Sequence, residues 1–167
     1  FLKAYIEDKK KSKKFKVTYI EEKKPLGSAG SLYLLKKKMS DDFILINCDT
    51  LLNVDYKQIF DFHQSQKNDL TLIVSLKNSV IPYGVCKLSK NNKLIKILEK
   101  PKNNYLANTG CYIVNPSCLK LIQNNKFLDF NFLIEKIIKK KMKIGLFPID
   151  DFLWQDAGSW DKIKEKK

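Results

Sequence analysis

The apolar and polar positions of this chain change repeatedly between the spacing of strands and the spacing of helices. Strands are predicted where apolar residues alternate with polar ones or form short runs, at 15–20, 43–47, 70–76 and 142–148. Helices are predicted where apolar residues recur at helical spacing, at 28–39, 56–66, 119–122 and 130–140. Ser28 and Ser31 are alternative caps for the first helix. This exchange of strands and helices favours a parallel sheet flanked by helices.

The pattern changes between residues 83 and 114. Two runs with strand spacing meet at Asn91-Asn92, a pair typical of a hairpin turn, and a third run follows. The segment is therefore predicted to be an antiparallel insertion that carries Glu99 and Asn108 to one side of a cleft. The predicted fold class is α/β, with a Rossmann-like, mostly parallel sheet flanked by helices and a small antiparallel β insertion.

Length and composition indicate one globular domain over residues 1–167. Apolar residues make up 44% of the 167 positions, enough for a hydrophobic core and too many for disorder. No run of about 18 apolar residues is present, so no membrane partner is expected. The four cysteines show no CxxC spacing, which predicts reduced packing cysteines in a cytoplasmic protein.

The formal charge of +14 raises the question of nucleic-acid binding. All 32 basic residues are lysine, however, whereas arginine makes the commonest specific base contact and the bidentate phosphate contact. We therefore interpret the lysine runs as solvated surfaces and expect no nucleic-acid partner.

Two places in the pattern could carry chemistry. Two glycines and two small residues follow a predicted strand at 25–32 and open a helix, where a backbone can approach a nucleotide. A simple glycine turn is the alternative. The apolar run at 43–47 is typical of a fully buried parallel strand. Asp49 follows it, and ligands of open α/β sheets bind at the carboxyl ends of strands. This aspartate either faces a ligand or metal, or forms a turn before Leu51.

A series of short motifs extends this pattern along the chain. They are Leu26-Gly27-Ser28-Ala29, Asn47-Cys48-Asp49, Tyr83-Gly84, Glu99-Lys100-Pro101, Asn108-Thr109-Gly110 and Asp156-Ala157-Gly158. In this order and at these separations the motifs resemble those of the sugar-1-phosphate nucleotidyltransferase family, from Phe15 onward. Ser28 replaces the family's threonine, and Asn47-Cys48 precedes the aspartate where the family has glycine.

The family begins with a strand and a glycine-rich phosphate loop that carries an arginine and a lysine. This chain starts at Phe1 and contains no such loop. The resemblance therefore implies a domain that lacks its N-terminal strand and phosphate loop, and we expect the 167-residue chain alone to be inactive.

The resemblance implies a reaction between a nucleoside triphosphate and a sugar 1-phosphate, which are the expected partners. A second copy of the chain, in a homo-oligomer, is a further partner to consider. Asp49 and Asp156 are the implied catalytic and metal-binding carboxylates, and Lys100 is the implied contact to the sugar phosphate. Two carboxylates about 4 Å apart repel by roughly 4 kcal/mol at an effective dielectric constant near 20, so a magnesium ion (Mg2+) is the expected cofactor. Capping by Asp156 and an edge salt bridge by Lys100 are the alternatives.

The nucleotide and the sugar are expected at different motifs. By resemblance, Gly27, Ser28 and Ala29 approach the nucleotide, and the side chain five positions before Gly27 reads the base. That side chain is Glu22, whose ionised carboxylate only accepts hydrogen bonds and so suits the two adjacent donors of guanine. GTP is therefore the expected donor, unless Glu22 simply balances nearby lysines.

Three residues are implied contacts to the sugar: Gly84, Glu99 and Asn108. Two other functions stay open from the sequence, a non-catalytic regulatory domain of the same fold and a metal-dependent glycosyltransferase. His63, with phenylalanines nearby on its predicted helix, is expected to be structural.

Overall fold

The computed structural model of the chain describes Ile6 and residues 16–158. The strands of this part are β1 (Phe43–Ile46), β2 (Thr50–Leu52), β3 (Leu70–Val80), β4 (Val85–Leu88), β5 (Leu94–Leu98), β6 (Lys102–Val114), β7 (Ile144–Asp150) and β8 (Trp154–Asp156). The α-helices are α1 (Gly27–Gly30), α2 (Tyr56–Ser65) and α3 (Phe130–Lys139). Three 3-10 helices span Ser31–Leu35, Pro116–Leu121 and Asp151–Leu153.

The central sheet has the strand order β1-β6-β3-β7. Strand β6 runs antiparallel to both β1 and β3, whereas β7 runs parallel to β3. Three of the four strands therefore point in one direction, and the long strand β6 alone is reversed. The α/β class is confirmed, and the reversed strand belongs to the predicted antiparallel insertion.

Helices cover both faces of this sheet. On one face, Leu72 and Tyr112 of the sheet pack in one hydrophobic cluster with Leu133 and Ile137 of α3. On the other face, Ile73 and Ile113 pack with Ile59 of α2. Neighbouring residues of a strand point to opposite faces, so β3 and β6 contribute to both clusters. For the same reason their sequences contain continuous apolar runs.

The helices at 56–66 and 130–140 are confirmed within one residue at each end. Asp55 caps α2, because its Oδ1 accepts hydrogen bonds from the backbone N–H groups of Lys57 (2.9 Å) and Gln58 (3.4 Å). The predicted strand at 70–76 extends to Val80, and the predicted hairpin is the separate two-stranded sheet of β4 and β5. Its turn contains Asn92 at a positive φ of 57°, which asparagine tolerates better than most residues.

Two strand predictions and one capping prediction were wrong. Residues 16–20 form no strand; Phe15 lies outside the described residues. Strand β1 is not fully buried, since Ile44 and Ile46 are each 41% exposed. They lie directly opposite Ile113 and Cys111, on the face of α2, but at the edge of the described sheet where that helix does not cover them.

The serines do not cap their own helix. Helix α1 begins at Gly27 without a side-chain cap, and Ser28 Oγ instead accepts a hydrogen bond from the backbone N–H of Phe130 (2.8 Å). Asp129 Oδ1 accepts from the N–H of Ser28 (3.3 Å) in return. The first turns of α1 and α3 thus satisfy each other's backbone donors.

No helix within the described residues is long and apolar enough to cross a membrane.

His63 is buried on the inner face of α2, as its structural interpretation predicted. Its Nδ1 lies 2.8 Å from Thr71 Oγ1, and its Nε2 lies 3.5 Å from Asp42 Oδ2. Burial lowers the pKa of His63 below 6.5, although the carboxylates of Asp42 and Asp69 oppose that shift. The folded protein therefore holds this imidazole neutral at neutral pH.

We expect acidification to destabilise the protein through this residue. As pH falls below 6.5, the unfolded chain binds a proton at His63 before the folded chain does, so the free energy of unfolding decreases. Urea unfolding at pH 7.5 and 5.5 measures the effect. Because the chain contains one histidine, a His63→Gln variant should lose this difference. An equal pH dependence in the variant would contradict the assignment.

Candidate active site

Two short strands bring Asp49 and Asp156 together from distant parts of the chain. Strand β2 begins directly after Asp49, and its first residue, Thr50, lies opposite Asp156 of β8 in an antiparallel pair. The backbone N–H of Ala157 donates to the carbonyl oxygen of Asp49 (2.8 Å). The pairing places both aspartates at one end of the two-stranded sheet.

The two carboxylates converge over the backbone of Gly158. A Cβ atom built at Gly158 would lie 2.8 Å from Asp49 Oδ2 and 3.2 Å from Asp156 Oδ1. Asp156 Oδ1 also accepts a hydrogen bond from the N–H of Gly158 (3.0 Å). Any larger residue at this position would displace a carboxylate, which explains the glycine of the Asp156-Ala157-Gly158 motif.

An irregular part of strand β6 forms the floor of the cleft that Asp49 and Asp156 line. The register between β3 and β6 shifts after Leu72, so that three residues of β6 face one residue of β3. Gly110, in this bulge, has a φ of 79°, and a Cβ there would lie 2.5 Å from Asn47 Nδ2. Thr50 Oγ1 donates to the carbonyl oxygen of Thr109 (2.8 Å), which ties β2 to the bulge.

Asn108 lies in this cleft with its amide held in one orientation. Its Nδ2 donates to Tyr112 Oη (2.8 Å), and its Oδ1 accepts from the N–H of Gly110 (3.1 Å). The cleft has a volume of about 330 Å³ and is also lined by Asp49, Asp156 and Trp154. The structure therefore brings the predicted sugar contact and the predicted metal ligands into one cavity.

The remaining predicted sugar-site residues lie on the separate hairpin. A Cβ built at Gly84 would lie 3.3 Å from Glu99 Oε2, so these two residues are neighbours at the base of β4 and β5. Lys100 is exposed at the end of β5, with a φ of 41°. Gly84, Glu99 and Lys100 are not among the residues that line the cleft of Asp49.

The glycines of the first motif pack against another part of the fold. Gly27 has a φ of 77°, and a Cβ there would lie 2.8 Å from both Leu128 O and Asp129 Oδ1. The N–H groups of Ala29 (2.9 Å) and Gly30 (3.0 Å) donate to Leu128 O. The structure thus explains both glycines by close packing, and the nucleotide contacts of Gly27, Ser28 and Ala29 stay a prediction.

Glu22 is held at the edge of a second hollow. Its Oε2 accepts a hydrogen bond from the backbone N–H of Leu26 (2.9 Å). The hollow measures about 230 Å³, and Tyr33, Leu34 and Asn125 also line it. One carboxylate oxygen of Glu22 is therefore fixed by the loop before Gly27.

Sequence reasoning missed Asn47, Thr50 and Thr109 as parts of the site. Asn47 covers Gly110, and the two threonines join β2 to β6. Neither Asn47 nor Thr50 had a predicted role, and Thr109 stood inside the Asn108-Thr109-Gly110 motif without one. The structure shows that it is buried and that its Oγ1 donates to the carbonyl oxygen of Ile73 (2.8 Å).

The donor set fits a magnesium ion that takes part of its coordination from substrate. Mg2+ is usually bound in proteins by one or two carboxylates, with waters and substrate phosphates completing an octahedron. Asp49 and Asp156 supply two such carboxylates. Among residues 16–158 no group of three or more His, Cys, Asp or Glu could hold a metal without such help.

All four cysteines were expected to be packing residues, and two of them are. Cys111 and Cys118 are buried, and burial raises the pKa of Cys111 to about 11 and that of Cys118 to about 12. Cys48 and Cys86 are exposed, because they lie in the loop before Asp49 and on the projecting hairpin. All four are free thiols.

A carboxylate pair at the carboxyl end of a sheet strand, beside a cleft in an α/β fold, is a site suited to metal-assisted transfer of phosphorus-containing groups. The comparisons with known proteins make this class specific. The chain belongs to the nucleotidyl transferase family, whose model matches residues 2–167.

The relatives include two yeast enzymes. Over 149 residues the chain is 29% identical to mannose-1-phosphate guanyltransferase 2 of Candida glabrata, and over 153 residues it is 29% identical to mannose-1-phosphate guanyltransferase of Saccharomyces cerevisiae. Each match covers 85% of this chain and 41% of the relative, so the chain spans less than half the length of these enzymes. The crystal structure of HddC from Yersinia pseudotuberculosis matches with a TM-score of 0.66 and 25% identity, covering 96% of this chain and 71% of that one.

We expect thiol reagents to distinguish the two pairs of cysteines. Cys48 and Cys86 should react rapidly with iodoacetamide in the folded protein, because they are exposed. Cys111 and Cys118 should react only after unfolding, because they are buried and their raised pKa keeps them in the thiol form. Peptide mapping by mass spectrometry after a short exposure gives the sites. Rapid modification of Cys111 would contradict the described core.

Proposed function

We propose that this protein transfers a nucleotidyl group from a nucleoside triphosphate to a sugar 1-phosphate, yielding a nucleoside diphosphate sugar and pyrophosphate. The observation that carries the proposal is the convergence of Asp49 and Asp156 over Gly158, within a chain of the nucleotidyl transferase family. The names of the yeast relatives support a sugar 1-phosphate as the acceptor and make mannose 1-phosphate the first acceptor to test.

The reaction is an in-line attack of a sugar-phosphate oxygen on the α-phosphorus of the triphosphate. Such chemistry requires positioning and neutralisation of charge more than covalent catalysis. A bound Mg2+ would neutralise the phosphates and polarise the reacting phosphoryl group. Asp49 and Asp156 would hold it, and the hydrogen bond from Gly158 to Asp156 would keep one carboxylate in place.

The sugar 1-phosphate is assigned to β6, which lines the cleft through Asn108, and to the hairpin, whose residues lie outside the lining of the cleft. Asn108 would contact sugar hydroxyls with an amide that Tyr112 and Gly110 already orient, so little rotamer freedom is lost on binding. Glu99 would accept hydrogen bonds from the hydroxyls beside Gly84. Lys100 would contact the sugar phosphate as a point charge.

GTP is the proposed donor. The relatives are guanyltransferases by name, at 29% identity, and Glu22 provides a chemical reason for the same base. The loop N–H of Leu26 holds Glu22 Oε2, and Oε1 would serve as the acceptor for a base in the adjacent hollow, which Glu22 lines. Guanine presents N1–H and N2–H side by side, and an acceptor matches them better than it matches a pyrimidine carbonyl.

Replacing either aspartate should abolish most activity. In the intact protein, we expect Asp49→Asn and Asp156→Asn each to reduce pyrophosphate release by orders of magnitude, because a neutral amide binds Mg2+ weakly. Circular dichroism should show an unchanged fold. The control is Asp61→Asn, which removes an exposed carboxylate of α2 paired with Lys57. Full activity in both site variants would refute the metal assignment.

Replacing Glu22 should relax the choice of base. In Glu22→Gln the amide oxygen can still accept from Leu26, while the NH2 group replaces the second acceptor by donors. A charge-assisted hydrogen bond contributes about 1.5 to 3 kcal/mol, so the preference for GTP over UTP and dTTP should fall roughly ten- to a hundredfold. Turnover of each nucleotide at equal concentration measures this ratio.

Glu135→Gln, an exposed change on α3, is the matched control for that experiment. A wild-type protein that prefers UTP, dTTP or CTP would refute the guanine assignment and leave the proposed reaction unaffected.

A further inference from the structure

Two side chains of β3 hold the chain at the point where it leaves the central sheet. The parallel pairing of β3 with β7 ends at Leu76 and Asp150, and the next residue, Asp151, turns away. Asp151 Oδ1 accepts a hydrogen bond from Ser75 Oγ (3.1 Å) and another from Lys77 Nζ. Ser75 is fully buried, so one of these contacts is anchored in the core.

Lys77 makes a second contact in the same place. Its Nζ lies 4.7 Å from the ring centroid of Trp154, the first residue of β8. A cation over an indole face at this distance is attracted by the ring. Trp154 lines the cleft of Asp49 and Asp156, so Lys77 links β3 to a wall of the site without itself lining the cleft.

The two-stranded sheet of β2 and β8 depends on such attachments. An isolated two-stranded sheet is only marginally stable in water. On the β2 side, Thr50 is joined to Thr109 of the central sheet. On the β8 side, Asp151 and Trp154 are joined to Ser75 and Lys77. The second attachment lies only a few residues before Asp156.

We propose that Lys77 is a positioning residue, which by holding Asp151 and Trp154 fixes β8 and thereby places Asp156 beside Asp49. This inference rests on the proposed function only for its effect on turnover. The positioning of Trp154 is a property of the fold and is measured separately.

Lys77 differs from an ordinary surface ion pair. Lys57 and Asp61 form such a pair on α2, with side chains 81% and 57% exposed, and exposed pairs of this kind contribute little. The side chain of Lys77 is only 30% exposed, and it has two partners on the segment that leads to Asp156. Lys57→Met is therefore a matched control for Lys77→Met.

The experiment uses the intact protein with Trp160→Phe in every variant, so that Trp154 is the one indole of residues 1–167. Lys77→Met removes the charge and keeps the length of the side chain. Lys77→Arg keeps both the ion pair and the contact with the indole, because guanidinium binds carboxylates and stacks on aromatic faces. Emission and acrylamide quenching of Trp154, the Mg2+ concentration for half-maximal turnover, and kcat/KM are compared.

Lys77→Met is expected to change the emission maximum and increase the quenching of Trp154. It should also raise the Mg2+ requirement and lower kcat/KM about tenfold, because a shift of Asp156 smaller than 1 Å should cost less than the roughly hundredfold loss that a 1 Å misplacement causes. Lys77→Arg should restore the emission maximum and bring the quenching, the Mg2+ requirement and kcat/KM to within about threefold of the reference, and Lys57→Met should leave all four unchanged.

The proposal would be overturned if Lys77→Met showed the same emission, quenching and Mg2+ requirement as Lys57→Met. A failure of Lys77→Arg to restore them would overturn it as well. If Lys77→Met does not fold, Asp151→Asn, which has nearly the same shape as the native residue, is judged by the same criteria. An altered Trp154 signal in a protein that forms no nucleotide sugar would refute the proposed function and leave the positioning of Trp154 intact.

Discussion

The pairing of β2 with β8 is the constraint on which the candidate site depends. Each strand has three residues, and their register places Thr50 opposite Asp156 and so sets Asp49 beside it. Strands this short have little stability of their own. Their position comes from side chains, Thr50 at the bulge of β6 and Asp151 at β3, so the geometry of the two carboxylates is set by the central sheet.

The bulge in β6 is the second element of this arrangement. Without it, β6 would continue as a regular strand, and Gly110 could not take the positive φ that lets Asn47 cross it. The bulge also turns Asn108 into the cleft and orients its amide. One irregularity in a strand therefore orients the amide that we propose as a sugar contact and supports β2, which is a common use of bulges near active sites.

The sequence predicted the helices at 56–66 and 130–140 and the hairpin well, because their signals are local, whereas the predicted helices at 28–39 and 119–122 are short and largely 3-10. Residues 56–66 and 130–140 have full helical periods, and Asn91-Asn92 marks a turn. The strand at 15–20 was predicted from alternation alone, which shows that a segment suits a sheet but not that a neighbouring strand is available to it.

The site was predicted only in part. Asp49 and Asp156 were found by their motifs, yet nothing in the sequence shows that β2 and β8 pair, since three residues carry no detectable period. Gly27 was interpreted as a nucleotide contact, whereas the structure shows that both Gly27 and Gly30 are required by packing against 126–129. Lys77 had no signal at all, because its partners are far away in the sequence and among many other lysines.

The most direct test of this account is a crystal structure of the intact protein soaked with Mn2+ in place of Mg2+, recorded at a wavelength where manganese scatters anomalously. The account predicts an anomalous peak between the carboxylates of Asp49 and Asp156, above Gly158, that disappears in Asp156→Asn. A peak elsewhere, or carboxylates that point away from one another in the metal-soaked crystal, would contradict it.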